Sequence, residues 1–295
     1  MQQSLFQGSA TAIITPFKNG AVDFPALEKL VETQIENGIK ALIVCGTTGE
    51  PTTLTDSEKK ATIESVVKTA NNRITIICGT GSNATKHVIE AEKQYRDLGC
   101  AAQLVVTPYY NKTSQDGLYA HYMHIAENTT LPIMLYNVPS RTQLEIMPET
   151  LYKLSKCEKF VALKESSYQF PLILERRQAM GNMALYSGND DMIYPLLALG
   201  AQGVVSVMSN VIPENVVGIT DAYFAGNTKL SLQRQLDCIP FIKALFAETS
   251  PIPCKYIASK LGLCENELRL PLVCANEKIQ KQLNDTYKVL KELKA

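Results

Sequence analysis

"FVALKES", residues 160–166, ends an apolar run with a lysine. A run that is apolar throughout, rather than at every second position, reads as a strand covered on both faces, as in a parallel sheet. Burying an ammonium there costs several kcal/mol unless it is paired or neutralised. Lys164 therefore needs a reason, and the reason depends on the fold. Runs of the same kind recur on both sides of it: "TAIITPF" (11–17), "ALIVCG" (41–46), "ITIICGT" (74–80), "AQLVVTP" (102–108), "PIMLYNVP" (132–139), "ALYSGN" (184–189) and "GVVSV" (203–207).

Amphipathic segments fill the gaps. "FPALEKLVETQIENG" follows Asp23, a natural N-cap, and ends at Gly38. "DSEKKATIESVVKTANN" opens with acids and puts Ile63, Val66 and Val67 on one face. "ATKHVIEAEKQYRDLG", "DGLYAHYMHIAENT" and "PETLYKLSKCE" follow later strands, the last with Pro148 at a helix start. Eight strand–helix units within about 225 residues predict a (β/α)8 TIM barrel. The spacing is too regular for an open doubly wound sheet. The barrel is expected over residues 1–227. Strand-like runs then stop, and "KLSLQRQLDCIPFIKALFAE", "PCKYIASKLG" and "NEKIQKQLNDTYKVLKELK" predict a C-terminal helical extension over 228–295.

Composition narrows the classes. Of 295 residues, 45% are hydrophobic and 20% charged, with a formal net charge of zero. That balance gives no electrostatic capture of nucleic acid or of an anionic membrane. No apolar stretch nears the roughly 18 residues that span a bilayer. The opening "MQQSLFQGSATAIITPF" lacks a basic stretch followed by an apolar one, so a cytoplasmic location is expected. The eight cysteines include no C-x-x-C, and the ten-residue spacing of Cys254, Cys264 and Cys274 matches no zinc pattern. They are expected to be reduced, buried and inert.

In such barrels the reactive groups lie at the C-terminal strand ends and in the loops that follow. Those positions carry Gly46-Thr47-Thr48-Gly49-Glu50, Thr107-Pro108-Tyr109-Tyr110-Asn111, Tyr136-Asn137-Val138-Pro139 with Arg141, Lys164-Glu165, and Ser187-Gly188-Asn189-Asp190. They include no carboxylate pair at general acid/base spacing and no metal-ligand cluster. A desolvated lysine is a nucleophilic amine suited to Schiff-base chemistry with a carbonyl substrate. A nearby tyrosine can move the protons that imine formation requires. Threonine and glycine amides at a strand end can bind a carboxylate, and Arg141 can grip a second one. Taken singly, each has a plainer reading: a lysine that snorkels or pairs with Glu165, core or interface tyrosines, an ordinary turn. Their convergence at one end of one barrel favours chemistry. "GTGSNA" (79–84) resembles a dinucleotide fingerprint, but the next strand lacks the acid that would hold a ribose. His121 and His124, three apart on a helix, have no evident third ligand and are expected on a wet face.

The segments "GTTGE", "TPYYN", "YNVPSRT", "ALKES", "SGNDD" and "GVVSV" together resemble the pyruvate-dependent class I aldolase/lyase family of (β/α)8 barrels, in register from about Gly8 to Pro271. The resemblance implies an imine between Lys164 and pyruvate. It implies a proton relay through Tyr136 and Thr48 to Tyr110, with Tyr110 supplied by a neighbouring subunit. Thr47 and Thr48 would hold the pyruvate carboxylate, and Gly188 and Val205 would line the site through their backbones. No metal or organic cofactor is implied, and the assembly would be a homotetramer built as a dimer of dimers. Thr47, where sialic acid lyases usually carry serine, and Arg141, with "SPIPCK" and "LRLP", point to the branch that joins pyruvate to L-aspartate 4-semialdehyde. N-acetylneuraminate or 2-keto-3-deoxy sugar acid cleavage by the same lysine is the enzymatic alternative, and a non-catalytic keto-acid-binding barrel is the other. Members inhibited by lysine usually carry histidine after "GTTGE" and a glutamate early in the third helix. Here Asp56, Lys59 and His87 occupy that region, while Asn83 and Tyr109 still match. Loss of the acid and gain of a cation predict weak or absent lysine feedback.

Overall fold

Eight short parallel strands form a closed barrel: β1 (Gly8–Ala12), β2 (Ala41–Val44), β3 (Thr75–Gly79), β4 (Ala102–Val106), β5 (Ile133–Asn137), β6 (Phe160–Glu165), β7 (Ala184–Ser187) and β8 (Gly203–Ser206). Neighbours in sequence are neighbours in the barrel, and β1 closes it by pairing with both β2 and β8. The expected (β/α)8 barrel is thus the observed one. The structure is a computed structural model and describes residues 4–293.

Strand alternation sets the layers. Ala10, Ala41, Ala102 and Ala162 face inward with Ile43, Ile77, Leu104, Met134, Tyr136, Tyr186 and Val205. Small and large residues together fill the narrow interior. The alternate positions, among them Leu42, Val44 and Val204 on one side and Val105, Leu135 and Leu163 on the other, face the helices. Phe6 stacks on the inward Tyr186 ring at 4.2 Å between centroids.

The helices are α1 (Phe24–Glu36), α2 (Asp56–Ala70), α3 (Thr85–Tyr95), α4 (Gln115–Asn128), α5 (Pro139–Thr142), α6 (Pro148–Leu154), α7 (Phe170–Ala179), α8 (Ile193–Ala198), α9 (Pro213–Phe224), α10 (Thr228–Leu245), α11 (Ile252–Lys260) and α12 (Glu277–Glu292). Their starts follow the local chemistry. Asp23 caps α1 by accepting from the Ala26 amide, and Thr55 with Glu58 forms a full capping box on α2. Each such cap stabilises its helix by about 1 kcal/mol. Past the barrel, α10 packs on α9, and α12 packs on α10 and α11.

Three expectations are corrected. The first strand is Gly8–Ala12, not the run 11–17. Ile13, Ile14 and Phe17 are still buried, in the outer cluster that also holds residues of α10 and α11. The apolar run marks burial outside the barrel ladder: Ile13 and Ile14 pack in that outer cluster, and Phe17 pairs with Val22 in a separate two-stranded antiparallel ladder. The second concerns His121, which is buried, not on a wet face; His124 is exposed. His121 Nδ1 lies 2.8 Å from Thr85 Oγ1 on α3, and its Nε2 has no partner. None of the eight cysteines forms a disulfide; five are buried, but Cys157 and Cys264 are half-buried and Cys274 is exposed, against the expectation that all are buried.

Burial pulls the His121 pKa down to about 4. The unfolded chain takes up this proton near pH 6.5, before the folded one does. The stabilisation is complete above pH 6.5 and is lost as pH falls toward 4. Between pH 7 and 5 the loss from this one group is about 2 kcal/mol. Urea unfolding at both pH values is expected to show that loss in the parent and not in His121→Gln.

Candidate active site

The centre of the site is a row of three residues across three strands. Tyr136 on β5 is in register with Lys164 on β6, which is in register with Tyr186 on β7. Tyr136 and Tyr186 belong to the barrel interior, and Lys164 shares their parity. Lys164 is 5% exposed, so it does not snorkel. Its Nζ lies 4.2 Å from the centroid of the Tyr136 ring. Among the described residues no carboxylate pairs with it. Glu165, the partner suggested by its position in sequence, points to the other side of the strand and pairs with Arg176 at 3.0 Å.

Gly188, after β7, lies against this lysine. Its amide donates to the Glu165 carbonyl at 2.7 Å. A Cβ at position 188 would sit 1.9 Å from Ser166 Oγ and 2.9 Å from Lys164 Cε. Asp190 holds the same loop to the end of β8. Its Oδ2 accepts from the amides of Val207 at 3.1 Å and Met208 at 2.9 Å, and its Oδ1 has no partner. Burial pushes its pKa up. Val205 is fully buried within β8.

After β2 the chain makes two short 3-10 turns, Thr47–Gly49 and Pro51–Thr53; Gly46 precedes the first, and Glu50 closes it in the left-handed region at φ 53°. The leading amides of such a turn have no partner within it and can receive an anion. Thr15 Oγ1 donates to the Gly49 carbonyl at 2.8 Å. Thr48 is buried and Thr47 half-buried. Arg141 sits on α5, the short helix after β5, and its Nη2 donates to the Ser250 carbonyl at 3.0 Å.

A cavity of about 680 Å³ opens over this end of the barrel. Thr47, the Gly79–Gly81 stretch, Tyr136, Val138, Arg141 and Ser250 line it. It extends between α2 and α3, where Lys59 and His87 form part of the wall. Glu90 lies on the same wall, an acid that the sequence reading did not count. Tyr110 stands apart from the other predicted site residues, out in solvent. Its side chain is 95% exposed on the loop after β4, at φ 71°. A non-glycine residue held there stores strain of about 1–3 kcal/mol. Within one chain the structure brings together Lys164, Tyr136, the threonine turn, Arg141 and Gly188, but not Tyr110.

Sequence reasoning missed the groups that hold these in place. Arg176 on α7 is 1% exposed, and it donates from Nη1 to Glu165 and to Ser167 Oγ at 3.1 Å and from Nε to the Ile146 carbonyl at 2.7 Å. Its Nη2 also pairs with Glu145. Asn137 at the end of β5 donates to Glu165 Oε1 at 2.8 Å. In the sequence Arg176 looks like a solvated charge in the last turn of a helix. The one available signal was its neighbour in "ERRQ", two cations where one would serve the helix end.

Comparison with known proteins finds likeness along nearly the whole chain. The model of the Dihydrodipicolinate synthetase family matches residues 5–290. The 4-hydroxy-tetrahydrodipicolinate synthase of Alkaliphilus oremlandii is 47% identical over 285 residues, 96% of this chain and 98% of its own length. The enzyme of the same name from Clostridium novyi is 46% identical over 91% of each chain. The crystal structure of dihydrodipicolinate synthase from Thermotoga maritima is 42% identical, with a TM-score of 0.95 over 97% of this chain and 99% of that one.

Gly188→Ala is expected to lose activity by about two orders of magnitude, because the added methyl group displaces Ser166 and Lys164. Unchanged kcat/KM in a variant with the parent's circular dichroism would contradict this placement of Gly188.

Proposed function

The chain belongs to the Dihydrodipicolinate synthetase family, and from that premise we propose that it is a Schiff-base-forming lyase condensing pyruvate with L-aspartate 4-semialdehyde. The observation that carries this is Lys164, buried in the barrel beside the Tyr136 ring with no carboxylate partner among the described residues.

The Lys164 amine attacks C2 of pyruvate, and loss of water gives an imine. Removal of a proton from C3 gives the enamine. The enamine carbon forms the new bond to the aldehyde carbon of the semialdehyde, whose oxygen takes up a proton. The amine of the bound semialdehyde then adds to C2 and expels Lys164, closing the ring and regenerating the enzyme. One water leaves overall, and the product is 4-hydroxy-tetrahydrodipicolinate, a precursor for diaminopimelate and lysine. Tyr136 carries protons to and from the reacting atoms, with Thr48 and Tyr110 completing the relay. Thr47 and Thr48 hold the pyruvate carboxylate, and Arg141 holds that of the semialdehyde. Gly188 and Val205 present backbone to the pocket.

Tyr110 joins the relay from a second subunit, so the working unit is at least a dimer, and in this reading a dimer of dimers. Its exposure and its left-handed backbone support that role: a strained, outward tyrosine is what a partner's site would receive. No helix among the described residues is long and apolar enough to cross a membrane. Eight cysteines without a disulfide favour the reducing cytoplasm as the location.

Mixing subunits tests the reaction and the assembly together. The parent is expected to consume pyruvate only when L-aspartate 4-semialdehyde is present. Tyr110→Phe and Lys164→Ala are each expected to be nearly inactive. Co-refolded in equal amounts, they should recover about a quarter of parental turnover, since half the dimers are hybrids with one complete site each. No recovery in hybrids of confirmed composition would place Tyr110 outside the neighbouring site.

A further inference from the structure

Lys255 is a second buried lysine, and the chemistry above does not use it. It lies on α11, in the C-terminal part of the chain, and is 0% exposed. Its Nζ is 2.5 Å from Glu50 Oε1, donates to the Glu267 carbonyl at 2.9 Å, and sits 4.0 Å from the centroid of the Phe17 ring. Burial pulls its pKa below the ordinary lysine value, and Glu50 opposes that pull.

Glu50 closes the Thr47–Gly49 turn in the left-handed region. A residue with a side chain adopts that conformation only when its surroundings impose it. Those surroundings come from the far end of the chain. Lys255 takes one carboxylate oxygen, and the Arg269 amide donates to the other at 3.3 Å. Arg269 also donates to the Thr53 carbonyl at 2.8 Å and pairs with Glu58 at the start of α2. The same C-terminal stretch reaches Arg141 through the Ser250 carbonyl. The two groups expected to take the two substrate carboxylates are therefore both tied to residues 250–269.

A buried ion pair is often no more than a neutral prop, replaceable by apolar residues at little cost. This one is contiguous with the threonines of the site, and Glu50 itself forms part of the cavity wall. We propose that Lys255 is a positioning residue for the condensation: through Glu50 it fixes the Thr47–Gly49 turn where that turn receives the pyruvate carboxylate. This rests on the reading of Thr47 and Thr48 given above. The C-terminal helices are then a working part of the site rather than a cover for the barrel.

Loosening the turn weakens the grip on pyruvate without removing the amine that attacks it. Lys255→Met is expected to raise KM for pyruvate about tenfold or more, with a smaller change in KM for the semialdehyde. At saturating pyruvate, borohydride should still attach pyruvate to Lys164 in full. Lys255→Met with Glu50→Gln removes the uncompensated buried charge. That pair is expected to regain most of the lost Tm while keeping the raised KM. Recovery of the parental KM together with Tm would overturn the proposal and leave the pair as a structural prop. If Lys255→Met does not fold, Glu50→Gln alone decides, since it keeps the side-chain volume and loses the charge. A raised KM for pyruvate supports the proposal, and a parental KM overturns it. Absence of any adduct in the parent enzyme is a separate result: the pyruvate reading itself then fails, and the proposal with it.

Discussion

The buried guanidinium of Arg176 and the carboxylate of Glu165 meet on the outer side of β6, and Lys164 stands one residue away on the inner side. Side chains alternate along a strand, so a slip of one residue would turn the lysine out and the carboxylate in. Arg176 opposes that slip with bonds to Glu165, Ser167, Glu145 and the Ile146 carbonyl. Glu165 is held in turn by Asn137 and by the Ser167 amide at 2.8 Å. Removing Arg176 would leave Glu165 buried without its charge partner, at a cost of about 3–5 kcal/mol, whereas removing Glu165 leaves Arg176 its pair with Glu145. The Lys164 side chain is thus oriented by a polar network on the opposite side of its strand.

That network separates two jobs that the quoted stretch seemed to combine. Glu165 carries the electrostatics of the helix layer, and Lys164 faces the barrel interior with no carboxylate partner among the described residues. The adjacent aromatic face of Tyr136 fixes where the nitrogen sits. The other end of the site is built differently. The threonine turn is short and strained, and it is held from outside by residues more than 200 positions further along the chain.

The barrel was legible because apolar runs and helix caps are local signals, repeated eight times at regular spacing. The strand-end residues were legible for the same reason, once the fold had fixed which end mattered. What escaped was long-range. Arg176 and Lys255 look like ordinary helix-surface cations, because the carboxylates that bury them lie 11 and 205 residues away. His121 was misread although Leu118, Tyr122 and Ile125 put its position on the buried face of its own helix; its spacing from His124, that of a metal-ligand pair, obscured that pattern. The first strand was misplaced because apolarity marks burial of any kind. Tyr110 could be named by resemblance, but only the fold reveals that it points away from its own barrel.

The central claim is that Lys164 is the nucleophile, and one measurement reaches it directly. The protein is incubated with pyruvate, reduced with borohydride, digested and analysed by peptide mass spectrometry. A pyruvate-derived mass addition confined to Lys164, absent without pyruvate, is the predicted result. A folded protein that carries no adduct there, or carries it on another lysine such as Lys255, would contradict the account.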